Sequence, residues 1–65
     1  MALNPGDPEC TEGLSKRIWD QWTAAGLLDG NEQVPEPGRT TNVTKFKAMA
    51  YGVAKGVVDE INENG

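Results

Sequence analysis

The sequence predicts an all-α fold, a two-helix hairpin with an extended N-terminal arm. Apolar residues recur with helical spacing over about residues 11–26 and again over about 42–63. Residues 27–41, which separate these two segments, contain two prolines and two glycines, so they predict a connection rather than a continuous helix. No alternating strand pattern of useful length is present in the 65 residues. We therefore expect one small domain built from two helices.

The arm comprises residues 1–10. Pro5, Gly6 and Pro8 lie within four positions there, and this combination favours turns and extended chain over helix. Leu3 is a large apolar side chain that can anchor the arm on a neighbouring molecule, so we include it among the expected interface residues. The alternative is a frayed terminus.

The first helix is predicted to begin at Thr11, as the N-cap, and to end at Gly26, as a left-handed C-cap. Spacings of four, four and three predict its buried face, which consists of Leu14, Ile18, Trp22 and Ala25. Trp19 lies about 100° from Ile18 around the helix. We expect it to be only half covered within the chain and to be an interface residue.

The second helix is predicted over 42–63, with Thr40, Thr41 and Asn42 left open as N-caps and residues 34–37 before it in a polyproline-like conformation. Its apolar residues cover about half of its circumference, more than the stripe of somewhat over 100° that one neighbour requires. We expect the first helix to cover a stripe centred on Phe46, Val53 and Val57. The residues expected to face a second partner on one flank are Tyr51, Ala54 and Val58.

Small residues also recur at spacings of four in this helix, at Ala48, Gly52 and Gly56. A glycine inside a helix costs roughly 1 kcal/mol relative to alanine, so a compensating contact is expected. One hypothesis is that these residues let another helix approach closely. The alternative is that the glycines avoid a clash within the same chain.

Charges on the second helix oppose its dipole. Lys45 and Lys47 lie near its N-terminus, whereas Asp59, Glu60 and Glu63 lie near its C-terminus. This order suits helices that meet antiparallel, or charged patches on a partner. Simple solvation is the alternative.

Composition argues against several classes of function. The net charge of −4, from ten acidic and six basic residues, disfavours a nucleic-acid binder. No apolar run is long enough for a membrane span, and the N-terminus lacks the apolar region of a secretion signal, so we expect synthesis in the cytoplasm. Cys10 is the single cysteine and histidine is absent, which leaves no internal disulfide, no metal-ligand set and no nucleophile–base pair.

We therefore expect no enzyme activity, with no catalytic, cofactor-binding or metal-binding residues, and we interpret Cys10 as a structural thiol. A single core below about 70–80 residues rarely supplies more than roughly 3–5 kcal/mol. Since disulfides and metals are excluded, a homo-oligomer or docking on a larger protein is expected.

Five segments of the sequence resemble a known group of proteins: residues 1–5 (MALNP), 7–8 (DP), 10 (C), 13–20 (GLSKRIWD) and 50–59 (AYGVAKGVVD). In these segments, which make up about half of the chain, the sequence resembles small uncharacterised proteins encoded among the virion genes of tailed bacteriophages. The resemblance implies a minor structural part of a virion, present in repeated copies on the head, neck or tail beside larger virion proteins. It carries over no catalytic residues.

The functional hypothesis is thus a non-enzymatic structural or assembly component of a phage particle. A small regulator or inhibitor, binding a single host or phage protein through its apolar helix face, is the alternative. An acidic mimic of nucleic acid comes third.

Overall fold

The computed structural model describes residues 3–65, so Met1 and Ala2 of the predicted arm lie outside the described residues. Within this range the chain forms two α-helices, α1 (Gly13–Ala24) and α2 (Gly38–Asn64), and a short 3₁₀ helix (Asn31–Gln33). No strand is present among residues 3–65. α1 packs against α2. The predicted all-α helical hairpin is confirmed.

The arm folds back over the first turn of α1. The amide of Leu14 donates to the carbonyl of Asn4 at 2.9 Å, and the amide of Ser15 donates to the carbonyl of Pro5 at 3.0 Å. These backbone acceptors satisfy amides that lack partners within the helix. The predicted N-cap at Thr11 is wrong, because the arm supplies the cap and the helix begins two residues later.

The predicted C-cap at Gly26 is confirmed. α1 ends at Ala24, and Gly26 follows with a left-handed φ of 91°. The amide of Gly26 donates to the Thr23 carbonyl at 3.1 Å, and the amide of Leu27 donates to the Trp22 carbonyl at 3.0 Å. This pair of bonds defines a Schellman motif, which requires a residue that tolerates positive φ.

α2 begins earlier than predicted, at Gly38. Val34 has polyproline-like angles (φ −80°, ψ 130°), but Pro37 already has near-helical angles (φ −87°, ψ 3°). A proline at a helix start has a suitable φ and sacrifices no helical amide, so α2 begins directly after it. The three predicted N-caps therefore lie inside the helix: Thr40, Thr41 and Asn42.

The connection is tied to α2 through Asn31. Its side-chain amide donates to the backbone carbonyl of Arg39 at 3.3 Å, and its side-chain oxygen accepts from the side-chain amide of Asn42 at 2.9 Å. The connection is therefore an ordered segment held against the start of α2.

The core is small, and on α2 it occupies a different face from the predicted one. Five of the described residues are buried: Cys10, Ser15, Ala50, Ala54 and Val58. Val53 and Val57, which were expected at the centre of the covered stripe, are 50% and 44% exposed. The expectation that Ala54 and Val58 face outward is wrong, since they are 0% and 1% exposed. Alanine has no side-chain atoms beyond Cβ, so α1 of the same chain can pack closely on that face of α2.

The molecule is elongated, with extents of 43 × 20 × 16 Å. Its accessible surface of 4492 Å² exceeds the value of about 4,000 Å² expected for a compact 7.0 kDa monomer. Residues 59–65, at the end of α2, are all exposed. Among residues 3–65, neither helix combines the length and apolar character needed to cross a membrane.

Candidate protein-protein interface

Four exposed apolar side chains lie in a line along α2. They are Met49, Val53, Val57 and Ile61, and their exposed fractions are 57%, 50%, 44% and 45%. A spacing of four residues places them along one ridge about 18 Å long. We call these four residues the exposed ridge. The sequence analysis missed it as a surface because it assigned Val53 and Val57 to the core.

The small residues of α2 border the exposed ridge. Ala48, Gly52 and Gly56 are all exposed, and a Cβ added at either glycine would have no neighbour within 4 Å. The interpretation that the glycines avoid a clash within the chain is therefore wrong. Their predicted role at an interface stays a prediction, as does that of Ala48.

Two other predicted interface residues lie on the opposite flank of α2. Val58 is buried within its own chain, so the prediction that it faces a second molecule is wrong. The reason is the rotation of the covered face, which turns Ala54 and Val58 inward. Tyr51 is half-buried beside them and keeps part of its surface available.

Leu3 remains 44% exposed on the arm. It lines a shallow open groove of about 420 Å³ with Asn4, Gly13, Leu14 and Arg17. The wall is mainly apolar and Arg17 supplies one charge at its edge. Leu3 is therefore accessible to a neighbouring molecule, and its role at an interface stays a prediction.

Trp19 is half-buried, in agreement with the expected partial coverage. The ammonium of Lys47 lies 5.6 Å from the centroid of its ring. Such a cation–π contact contributes about 0.5–1 kcal/mol at an exposed site. Trp19 therefore packs against α2 of its own chain, and only its remaining surface is available to a partner.

Ser15 is a buried residue that the sequence analysis missed. Its hydroxyl donates to the Asp7 carbonyl at 2.9 Å and accepts from the Asp7 amide at 3.2 Å, so the arm supplies it with both an acceptor and a donor. Ser15 precedes Ile18, Trp19 and Trp22 at helical spacings of three, four and seven. That spacing could have predicted the burial of Ser15, but the predicted buried face included apolar residues only.

Asp7 organises the arm through its carboxylate. The amide of Thr11 donates to it at 2.7 Å, and the Thr11 hydroxyl also donates to it. Both bonds lower the pKa of Asp7 below its ordinary value, and the bond from the hydroxyl has the larger effect. Thr11 thus stabilises the turn before α1 rather than capping the helix.

Cys10 is buried, with 6% of its surface exposed. Burial raises the pKa of its thiol, which favours the neutral form. This environment agrees with a structural thiol. Among residues 3–65, no three side chains of the types that bind metal ions come together.

Comparisons with protein-family models, with curated proteins and with solved structures find no match to this chain.

Proposed function

We propose that this chain is a non-enzymatic structural part of a tailed-phage particle, present in multiple copies and held by contacts of its helices. The observation that carries the proposal is the exposed ridge on α2. Covering apolar surface contributes about 25 cal/mol per Å², so a few hundred Å² amounts to several kcal/mol. That gain is comparable with the roughly 3–5 kcal/mol that a core of this size supplies.

The small core also supports a role in assembly. Val58 is the one large aliphatic side chain among the buried residues, beside Cys10, Ala50 and Ala54. The single cysteine excludes an internal disulfide. Contacts with other molecules are a remaining source of stability for a chain of this length.

The assignment to a phage particle comes from the resemblance of residues 1–5, 13–20 and 50–59 to proteins of virion gene clusters. In this proposal the chain is made in the host cytoplasm and assembles on larger virion proteins. Its neighbours in the particle are those proteins and further copies of itself.

Quantitative mass spectrometry of purified particles tests the proposal. The chain should occur at a fixed ratio to the major structural proteins, with a copy number that follows the symmetry of one part of the particle. A non-structural phage protein measured in the same sample controls for carry-over. If the chain is absent from particles and copurifies from infected cells with a single host or phage protein, the regulator hypothesis replaces this one.

A further inference from the structure

We propose that the exposed ridge pairs α2 with α2 of a second copy of this chain, antiparallel, about a two-fold axis level with residue 54. This inference rests on the proposed multi-copy role and names the partner. Two features of α2, a pair of charges and a pair of glycines, give the same position for the axis.

The charges are those of Lys45 and Glu63, which are both exposed. They are eighteen positions apart, which is five helical turns, so they lie at the same angle around α2. That angle is about 80° from Val53, on one flank of the exposed ridge. In an antiparallel pair the same flanks of the two helices face each other, as in antiparallel coiled coils. Lys45 of each copy then lies opposite Glu63 of the other when the axis is level with residue 54.

Parallel pairing lacks this complementarity. In register it sets Lys45 level with Lys45 and Glu63 level with Glu63. The reversed order of charge along α2, which is unfavourable for the dipole of an isolated helix, becomes favourable between two antiparallel copies.

The glycines give the same axis independently. Gly52 and Gly56 lie on the same flank as Lys45 and Glu63, and each has open space beyond its Cα. An axis level with residue 54 sets Gly52 of one copy opposite Gly56 of the other. The two backbones can therefore approach closely there, and Val53 of each copy can pack over the small residues of its partner.

The size of the surface sets the expected affinity. From Lys45 to Glu63 the strip is about 27 Å long, and at a width of about 10 Å it offers roughly 270 Å² per copy. Two such strips are well below the total of about 1,200 Å² that marks the lower end of stable interfaces. We therefore expect a reversible dimer with a Kd in the micromolar range or weaker, which repeated contacts in a particle would reinforce.

Sedimentation equilibrium from about 10 µM to about 1 mM tests the pairing. The mass should rise from 7.0 kDa toward twice that value. Val53→Glu should abolish the rise, because it places a charge at the centre of the exposed ridge. Thr44→Glu adds the same charge on the opposite side of α2 and should leave association unchanged. Circular dichroism checks that each variant stays helical.

The direction of pairing is tested with charge variants, which do not depend on how Val53→Glu folds. Lys45→Glu should weaken association about three- to tenfold at low salt, since it converts two attractive pairs into repulsive ones. Combining Lys45→Glu with Glu63→Lys should restore it. In a parallel pair Lys45→Glu would only replace one like-charged pair with another, so an unchanged Kd would overturn the antiparallel arrangement.

A monomer throughout the concentration range, a closed trimer, or a dimer indifferent to Val53→Glu would each overturn the inference. These outcomes are separable from failure of the proposed function. A chain found in particles but monomeric in solution refutes the pairing alone. A dimeric chain that is absent from particles refutes the function alone.

Discussion

The thiol of Cys10 donates a hydrogen bond to the backbone carbonyl of Lys47, at 3.4 Å and across 37 residues of chain. The side chain of Lys47 in turn lies over the ring of Trp19 in α1. The arm, α1 and α2 therefore meet around a single turn of α2. Because this junction joins the arm to both helices, changes in the arm should alter the packing of α1 and α2.

The reactivity of Cys10 tests this junction. Because burial raises the pKa of the thiol and limits access to it, alkylation by iodoacetamide should be more than about tenfold slower in buffer than in denaturant. A time course followed by mass spectrometry measures the ratio. The matched control is Glu9→Cys combined with Cys10→Ser, which moves the thiol to an exposed neighbouring position and should react quickly in both solvents. Equal rates for the native protein in the two solvents would contradict the buried contact.

Gly6→Ala should destabilise the chain by about 2–3 kcal/mol. Gly6 has a φ of 93°, and a Cβ there would lie 2.2 Å from the Glu12 carbonyl oxygen and 2.3 Å from the Ser15 hydroxyl. The substitution therefore combines backbone strain with a clash against α1. Urea denaturation measures the change, and Gly30→Ala is the control, because Gly30 has a similar left-handed φ of 83° but its Cβ would meet nothing within 4 Å. An unchanged urea midpoint for Gly6→Ala would mean that the arm is not folded against the helix.

Helices, turns and burial were unequally predictable from the sequence. The helical spacing of the two α-helices and the C-cap at Gly26 could be predicted, because each depends on a local sequence pattern. The start of α2 was not predicted, since Pro37 lets the helix begin at Gly38, four residues before the predicted start at Asn42 and five before the first apolar residue, Val43. The cap of α1 was also missed, because its acceptors are backbone carbonyls of Asn4 and Pro5 that no residue type reveals.

The candidate interface was only partly predictable for a related reason. The apolar pattern favoured Val53 and Val57 as buried residues over Ala54, yet the smaller Ala54 permits the closer approach and is the buried one. The excess width of the apolar arc correctly predicted that α2 has more apolar surface than its hairpin covers. Which half remained outside depended on tertiary packing.

The arm should give the chain a measurable dependence on acid. Hydrogen bonds from Thr11 hold the pKa of Asp7 below its ordinary value of 3.8, so the stabilisation is present above that pH and is lost as the pH falls through the lower folded value. Urea midpoints measured between about pH 5 and pH 2 should fall less steeply for Asp7→Asn than for the unmodified chain. Glu9→Gln, which removes another carboxylate of the arm, is the control. Its urea midpoint should fall with pH as steeply as that of the wild type, because Asp7 is still present. Identical slopes for the wild type and Asp7→Asn would contradict the bond between Asp7 and Thr11.

Gly56→Ala should separate the requirements of the single chain from those of its assembly. Within one chain the added Cβ has open space, so the higher helix propensity of alanine should stabilise the monomer by roughly 1 kcal/mol. In a dimer the same Cβ lies where the partner backbone approaches, so association should weaken, and Gly56→Leu should weaken it further through overpacking.

Thermal melts across a range of concentrations measure both effects. The wild-type midpoint should rise with concentration, whereas the midpoint of Gly56→Ala should begin higher and rise less. Thr44→Ala, on the opposite side of α2, should raise the midpoint without altering its dependence on concentration. Midpoints independent of concentration for the wild type and for both Gly56 variants would show that two helices and the arm suffice, and that no partner requires the glycine.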